Sequence, residues 1–159
     1  MFRTIHNGFL VLSLAVWLAG CAFEPTYHAS ANSAEEGATV SGMFQMMPFF
    51  KVAIVGVDRY VRRGMDAGLA SPMLIDPGIR NLKVRCEYLG FSVLAYKGES
   101  SLDLRADLKA GHAYELKGER SERHVTVWLE DAATHQVVSQ RVSAEATVAP
   151  VLGGVGSTF

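Results

Sequence analysis

Ser101-Leu102-Asp103-Leu104-Arg105-Ala106-Asp107-Leu108 decides the fold class. Its even positions are apolar and its odd positions polar, and a period of two marks a strand with one buried and one wetted face. The run ends at Lys109-Ala110-Gly111, after which Tyr114 and Leu116 resume the even positions. A three-residue loop with glycine in the left-handed region closes a hairpin, so Leu108 is predicted opposite His112 and Ala106 opposite Tyr114. Val125, Val127 and Leu129 are odd-numbered. They join the same face only in pairings whose residue numbers sum to an odd value, such as Leu116 opposite Val125. A slip of one would turn the whole apolar set to solvent. In this register His124, Thr126 and Trp128 share the other face with Glu115 and Lys117. Asp131 then opens a four-residue loop, Ala132 to His135, and the chain returns through Val138, Val142, Ala144, Ala146 and Val148, giving a meander of four or more strands.

Upstream, Phe50 to Val57 is almost wholly apolar and β-branched, as in a central strand. Leu82, Val84, Cys86 and Tyr88 alternate with Lys83, Arg85 and Glu87. Asp76-Pro77-Gly78 is a turn before them, with Pro fixing φ and Gly free to make it positive. Phe91 to Tyr96 is a further strand or a bulged continuation. No segment has the period of a long amphipathic helix. The expected fold is all-β: a single antiparallel β-sandwich of about seven to eight strands, or a barrel-like variant, over residues 37–149. A domain of this size buries about two thirds of its chain surface, enough for a core without metal or disulfide.

The rest of the 159-residue chain bears on location. Fifteen basic against sixteen acidic residues, a net charge of −1, argue against nucleic acid as a partner. Among Lys, Arg, Asp and Glu, only Arg3 precedes Glu24, and Phe9 to Ala19 is apolar except for Ser13. Eleven helical residues rise about 16 Å, half of a bilayer core, which suits the h-region of a secretory signal rather than a span. The run ends in Leu18-Ala19-Gly20-Cys21. This resembles the lipobox of bacterial lipoproteins. The resemblance implies a signal peptide over 1–20 cleaved before Cys21, and a lipid-modified, palmitate-type acylated cysteine there. Two or three acyl chains hold a protein on a membrane without a spanning helix. Ala22 stands where an Asp would resemble an inner-membrane retention signal, so the expected site is the periplasmic face of the outer membrane. Residues 21–36, the cysteine and AFEPTYHASANSAEE, read as a flexible tether, which would reach about 20 Å r.m.s.; an ordered arm packed through Phe23 or Tyr27 is the alternative. Residues 150–159, with Pro150 and three glycines, read as a disordered tail.

LIDPGIRNLKVRCEY, residues 74–88, resembles the "PG, then alternating strand" element of PEGA-type and transthyretin-like sandwiches of bacterial envelope proteins. SSLDLRADLKAGHAYEL, residues 100–116, is similar to a hairpin of small lipoproteins of that sort. The resemblance covers roughly residues 50–140 and implies a fold, not an activity. It departs at Val57-Asp58-Arg59, where such domains carry Asp-Gly. Arg59 takes positive φ less easily than glycine, so a wider first hairpin is expected.

The candidate contact residues are apolar or cationic. Met43 to Phe50 does not alternate, and Phe44, Met46, Met47 and Phe49 suit either a sheet-crossing turn that fills the core or an adaptable contact with a partner or lipid. Arg59, Arg62 and Arg63 surround Tyr60 and suit phosphate, although Asp58 and Asp66 lie close enough to neutralise them. Cys86 sits on an apolar face and reads as a small buried hydrophobe. His112, His124 and His135 fall near turns without HxH, CxxC or HExxH spacing, and there is no GxSxG elbow. No catalytic residue, metal site or cofactor is expected. The function expected is a non-enzymatic structural or interaction module of the envelope, anchored in the membrane and recruiting a protein or glycan partner. A carrier of a small apolar ligand or lipid is the alternative, and an envelope hydrolase has no residue set to support it.

Overall fold

The computed structural model describes residues 25–46, 48–62, 70–91, 95–121 and 123–150. The expected signal peptide, Cys21, Phe23, Met47, Arg63 and residues 151–159 of the expected tail lie outside the described residues.

Among the described residues eleven strands run in the order β1 (Ala38–Ser41), β2 (Met43–Gln45), β3 (Phe50–Val57), β4 (Tyr60–Val61), β5 (Met73–Ile75), β6 (Gly78–Phe91), β7 (Ala95–Leu108), β8 (Ala113–Ser121), β9 (His124–Asp131), β10 (Val142–Glu145) and β11 (Thr147–Pro150). They form two sheets, ordered β10-β9-β8-β1-β5 and β11-β7-β6-β3-β2, with β4 also paired to β3. The protein is thus an all-β sandwich. It has more strands than the seven to eight expected because β2, β4 and β5 are edge pieces of two or three residues, too short to show a period. It is also not wholly antiparallel, since β1 runs parallel to β8, with Val40 opposite Tyr114.

The alternation in the sequence becomes one interior. Leu102, Leu104, Ala106 and Leu108 on β7 join Leu82, Val84, Cys86 and Tyr88 on β6, Tyr114 and Leu116 on β8, and Val125, Val127 and Leu129 on β9 in a single core cluster. Each fully buried Leu or Val contributes about 1.5–3 kcal/mol. On β3 the inward positions are Phe50, Val52 and Ile54, then Val57. The change of parity is made by a bulge between Ile54 and Gly56, where one extra residue turns the following side chain to the opposite face.

The predicted hairpin of Leu108 with His112 does not form. β7 lies between β6 and β11, whereas β8 lies between β9 and β1, so Lys109 to His112 carry the chain from one sheet to the other. The local geometry is as expected, with Gly111 at φ 75°, but this turn chemistry serves a crossing as well as a hairpin. Residues 37–39 decide between them. Gly111 donates its amide to Gly37 O at 2.8 Å, and Thr39 donates to His112 O at 3.0 Å. The crossing sets the two apolar faces against each other instead of side by side. The meander fails for the same reason. β8 and β9 do pair with an odd sum and the expected faces, but Leu116 meets Leu129 rather than Val125, because the strands continue to Ser121 opposite His124.

Three other expectations change. The Asp58–Arg59 turn is tight, with Val57 opposite Tyr60. Asp58, not Arg59, takes positive φ, at 53°, and its carboxylate accepts from Asn81 N at 3.0 Å and Arg80 Nη1 at 3.2 Å. The segment from residue 25 is strapped to the sandwich instead of tethering it. Tyr27 donates its amide to Val61 O at 2.9 Å, and Val61 donates to Pro25 O at 3.0 Å. Asp76 Oδ1 accepts from Ser30 N and Ala31 N at 2.7 and 2.9 Å, while Tyr27 Oη donates to Asp76 Oδ2 at 3.2 Å. Burial pushes the Asp76 carboxyl up, but the amides of Ala31 and Ser30, the Tyr27 hydroxyl and Arg80 outweigh it and hold it below 3.8. The third change is at Pro150, the first residue of the expected tail, which closes β11 opposite Tyr96; as an edge-strand residue it needs no amide donor.

One glycine is demanded by packing. Gly98 lies opposite Tyr88 on the neighbouring strand, and the phenol ring occupies the space where a Cβ would stand. Gly98→Ala is expected to destabilise the protein by about 1–3 kcal/mol through overpacking, read as a lower urea midpoint. Asp76→Ala should leave the sandwich folded but release the strap, seen as faster amide exchange at Ser30 and Ala31 with little change in β6 and β7.

Candidate functional site

The candidate contact residues fall at opposite ends of one sheet edge. β3 runs from Phe50 to Val57, and its free side carries β2 at the start and β4 at the finish. Phe44 faces Lys51 and Tyr60 faces Val57, six residues or about 20 Å apart along the strand. Phe44, Met46 and Phe49 therefore lie together, and Arg59 lies far from them, whereas the amide of Arg62 donates to Val55 O at 2.8 Å, part of the way back along β3.

At the first end, Phe44 pairs opposite Lys51 and is 54% exposed, and Met46 is 69% exposed. Met43, one residue earlier, turns inward against the core, as the pleat requires. The Phe44 and Phe49 rings meet edge to face at 5.7 Å, so these two side chains are not loose. Beside them is an open groove of about 300 Å³ lined by Gln45, Pro48, Phe49, Phe50, Gly118, Glu119 and Arg120. Its floor is apolar and its rim polar. Gly118 closes the floor, because a Cβ there would come within 2.9 Å of Val52 and 3.1 Å of Phe50. Arg120 lies 4.5 Å above the ring of Tyr88, so a cation covers the end of the core. A ligand pocket for a small apolar molecule buries most of its occupant; this groove is open and has a charged rim.

At the other end, the guanidinium of Arg59 lies 5.1 Å over the Tyr60 ring, and Arg59 Nη2 donates to Tyr60 Oη at 3.0 Å. Arg62 turns away to Ser71, with Nη2 to Oγ at 2.9 Å. Asp58, expected as a neutralising neighbour, is engaged by Arg80 at 3.2 Å. A second hollow, about 520 Å³, lies at the far edge of this sheet and is lined by Lys97, Glu99, Ser100, Ser101, Glu145, Thr147 and Ala149. Glu99 is already paired there with Arg85 and Lys97 at 3.4 and 3.7 Å.

The titratable candidates have structural surroundings. Cys86 is fully buried, and desolvation pushes its thiol up to about 12, the opposite of an activated nucleophile. His112 Nδ1 lies 2.9 Å from Asp131 Oδ2, a carboxylate–imidazole pair of the kind used in hydrolases. The nearby hydroxyl, Thr134 Oγ1, donates to Asp131 Oδ1 at 3.1 Å rather than to the imidazole. Ala133 N and Thr134 N also donate to Asp131, each at 3.0 Å. The carboxylate thus organises the Ala132–His135 loop, in which His135 takes φ 57°. His124 is exposed at the start of β9, at the other end of the sandwich from His112. Among the described residues no group of three or more His, Cys, Asp or Glu is placed to hold a metal ion.

Sequence reasoning missed Gly118, Glu119 and Arg120, which complete the groove. An isolated glycine within a strand signals a close approach by another group, and Gly118 was the available sign. Comparison of the chain with protein-family models, curated proteins and solved structures gave no match.

The His112 hydrogen bond, followed by those from Thr134 and Ala133, outweighs burial and lowers Asp131 from 3.8 to about 2. In the unfolded chain the carboxyl takes up its proton at higher pH than in the fold. The stability that Asp131 contributes is therefore complete above about pH 4 and is lost as pH falls toward 2. Asp131→Asn should flatten that part of a plot of urea midpoint against pH.

Proposed function

We propose that the protein is a bacterial envelope lipoprotein, held through lipid on Cys21 at the periplasmic face of the outer membrane, and that its sandwich is a non-enzymatic interaction module. The anchor rests on Leu18-Ala19-Gly20-Cys21 after a charged start and an apolar run. The contact site is the β2 end of the sheet edge, with Phe44, Met46 and Phe49 beside the groove capped by Glu119 and Arg120. The observation that carries this reading is the solvent exposure of Phe44 and Met46 at an edge strand, about 20 Å along β3 from the point where the N-terminal strap joins β4. A large aromatic and a methionine beside an apolar floor with a polar rim suit an apolar side chain of a partner protein, and an edge strand suits a partner that adds a strand. The carrier alternative draws less support, because the groove is open and its rim charged. The hydrolase alternative draws little, because the hydroxyl of Thr134 beside the His112–Asp131 pair donates to the carboxylate and not to the imidazole.

Phe44→Asp should change stability by no more than about 0.5–1 kcal/mol, yet weaken a partner that uses the ring by about 30-fold, the size expected for an aromatic anchor. The check is crosslinking in cells followed by mass spectrometry, comparing wild type, Phe44→Asp and Cys21→Ala. Partners lost in both variants support the reading. An unchanged partner set in Phe44→Asp removes the proposed site, and a Cys21→Ala protein that stays membrane-bound removes the anchor.

A further inference from the structure

We infer that the turn formed by Arg59 and Tyr60 is the face that the domain lays against anionic phospholipid headgroups, so that the sandwich stands on the membrane in a fixed orientation instead of hanging from it; this rests on the lipoprotein reading. The first ground is the length of chain left free. Pro25 is fixed by the amide of Val61 at 3.0 Å, and only Ala22, Phe23 and Glu24 separate it from Cys21. Four peptide units span at most about 14 Å. Val61 adjoins Tyr60, so an acylated Cys21 holds this turn close to the headgroups.

Strand direction gives the second ground. Thr26 pairs with Val61 in parallel, and β4 leads away from the Asp58–Arg59 turn, so the start of the strap points toward the end of the sandwich that carries this turn. The third ground is charge. Asp58 is satisfied by Arg80 and Asn81, and Asp76 by Ser30, Ala31 and Tyr27. Among the described residues, the two carboxylates beside the turn are thus occupied. Arg59 is exposed, makes no ion pair among the described residues, and is steadied by the Tyr60 ring and hydroxyl. A guanidinium fork matches phosphate oxygens, and a tyrosine suits the headgroup layer. The ring packing of Tyr27 on Tyr60 at 6.2 Å joins strap and turn into one surface.

The test uses the lipid-modified protein from full-length expression, placed in vesicles of phosphatidylcholine alone or with one third phosphatidylglycerol. Amide exchange is followed by mass spectrometry in residues 57–62 and, at the far end, in residues 118–124. One basic residue near an anionic surface favours contact by about fivefold, so exchange in 57–62 should slow by about that factor on the anionic vesicles, with 118–124 unchanged. Arg59→Glu should abolish the difference while the protein still floats with the vesicles. Equal exchange on both vesicles, or slowing at both ends alike, overturns the inference while leaving the anchor in place. A Cys21 without acyl mass, in protein that does not float, overturns the anchor and the inference together.

Discussion

Leu102, Leu104, Ala106 and Leu108 line one face of a strand, and that face becomes dry only if a second sheet covers it. The requirement holds for every long strand of this chain, and the topology follows from it. β7 hands the chain to β8 across the sandwich, β5 hands it to β6, and β10 hands it to β11, so successive apolar faces oppose each other over a shared interior. Local backbone devices make these crossings cheap. Gly78 takes φ 103° and Gly111 takes φ 75°, values that a residue with a Cβ reaches only with strain.

The alternating residues were therefore legible, and their partners were not. Period two fixes which side of a strand faces inward, and it did so for β6, β7, β8 and β9. It does not say in which sheet a strand lies, because Lys109-Ala110-Gly111 closes a hairpin or a crossing with the same dihedral angles. The choice was made by Gly37 and Thr39, more than sixty residues earlier in the chain, which carry almost no periodic signal. Short edge strands such as β4 escaped for a related reason: two residues hold no period. The strap was legible only as an alternative, through Tyr27, because its order comes from distant partners, the backbone of Val61 and the carboxylate of Asp76. Of the candidate contact residues, Phe44, Met46 and Phe49 were singled out by their failure to alternate. Glu119 and Arg120 were not, because charged residues on a strand end ordinarily signal only solvent.

The two ends of the sandwich differ in character. One end collects Tyr27, Asp58, Arg59, Tyr60 and Asp76 in a polar, hydrogen-bonded assembly that ties the N-terminal segment to the sheet edge. The other exposes Phe44 and Met46 and covers Tyr88 with Arg120. A rigid strand, β3, joins them, and its Phe50, Val52 and Ile54 are core. A contact made at one end is therefore presented at a set distance and direction from the other, without a hinge between.

Cys86 gives the chain a built-in reporter. Its sulfur lies in the middle of β6, fully buried between the sheets, with the thiol held up to about 12 by its dry surroundings. It is the free cysteine of the described residues. An alkylating reagent reaches this sulfur only when β6 separates from its neighbours, so the rate of labelling measures how often the sandwich opens. In an oxidising compartment the same placement keeps the thiol out of disulfide exchange for as long as the two sheets stay closed.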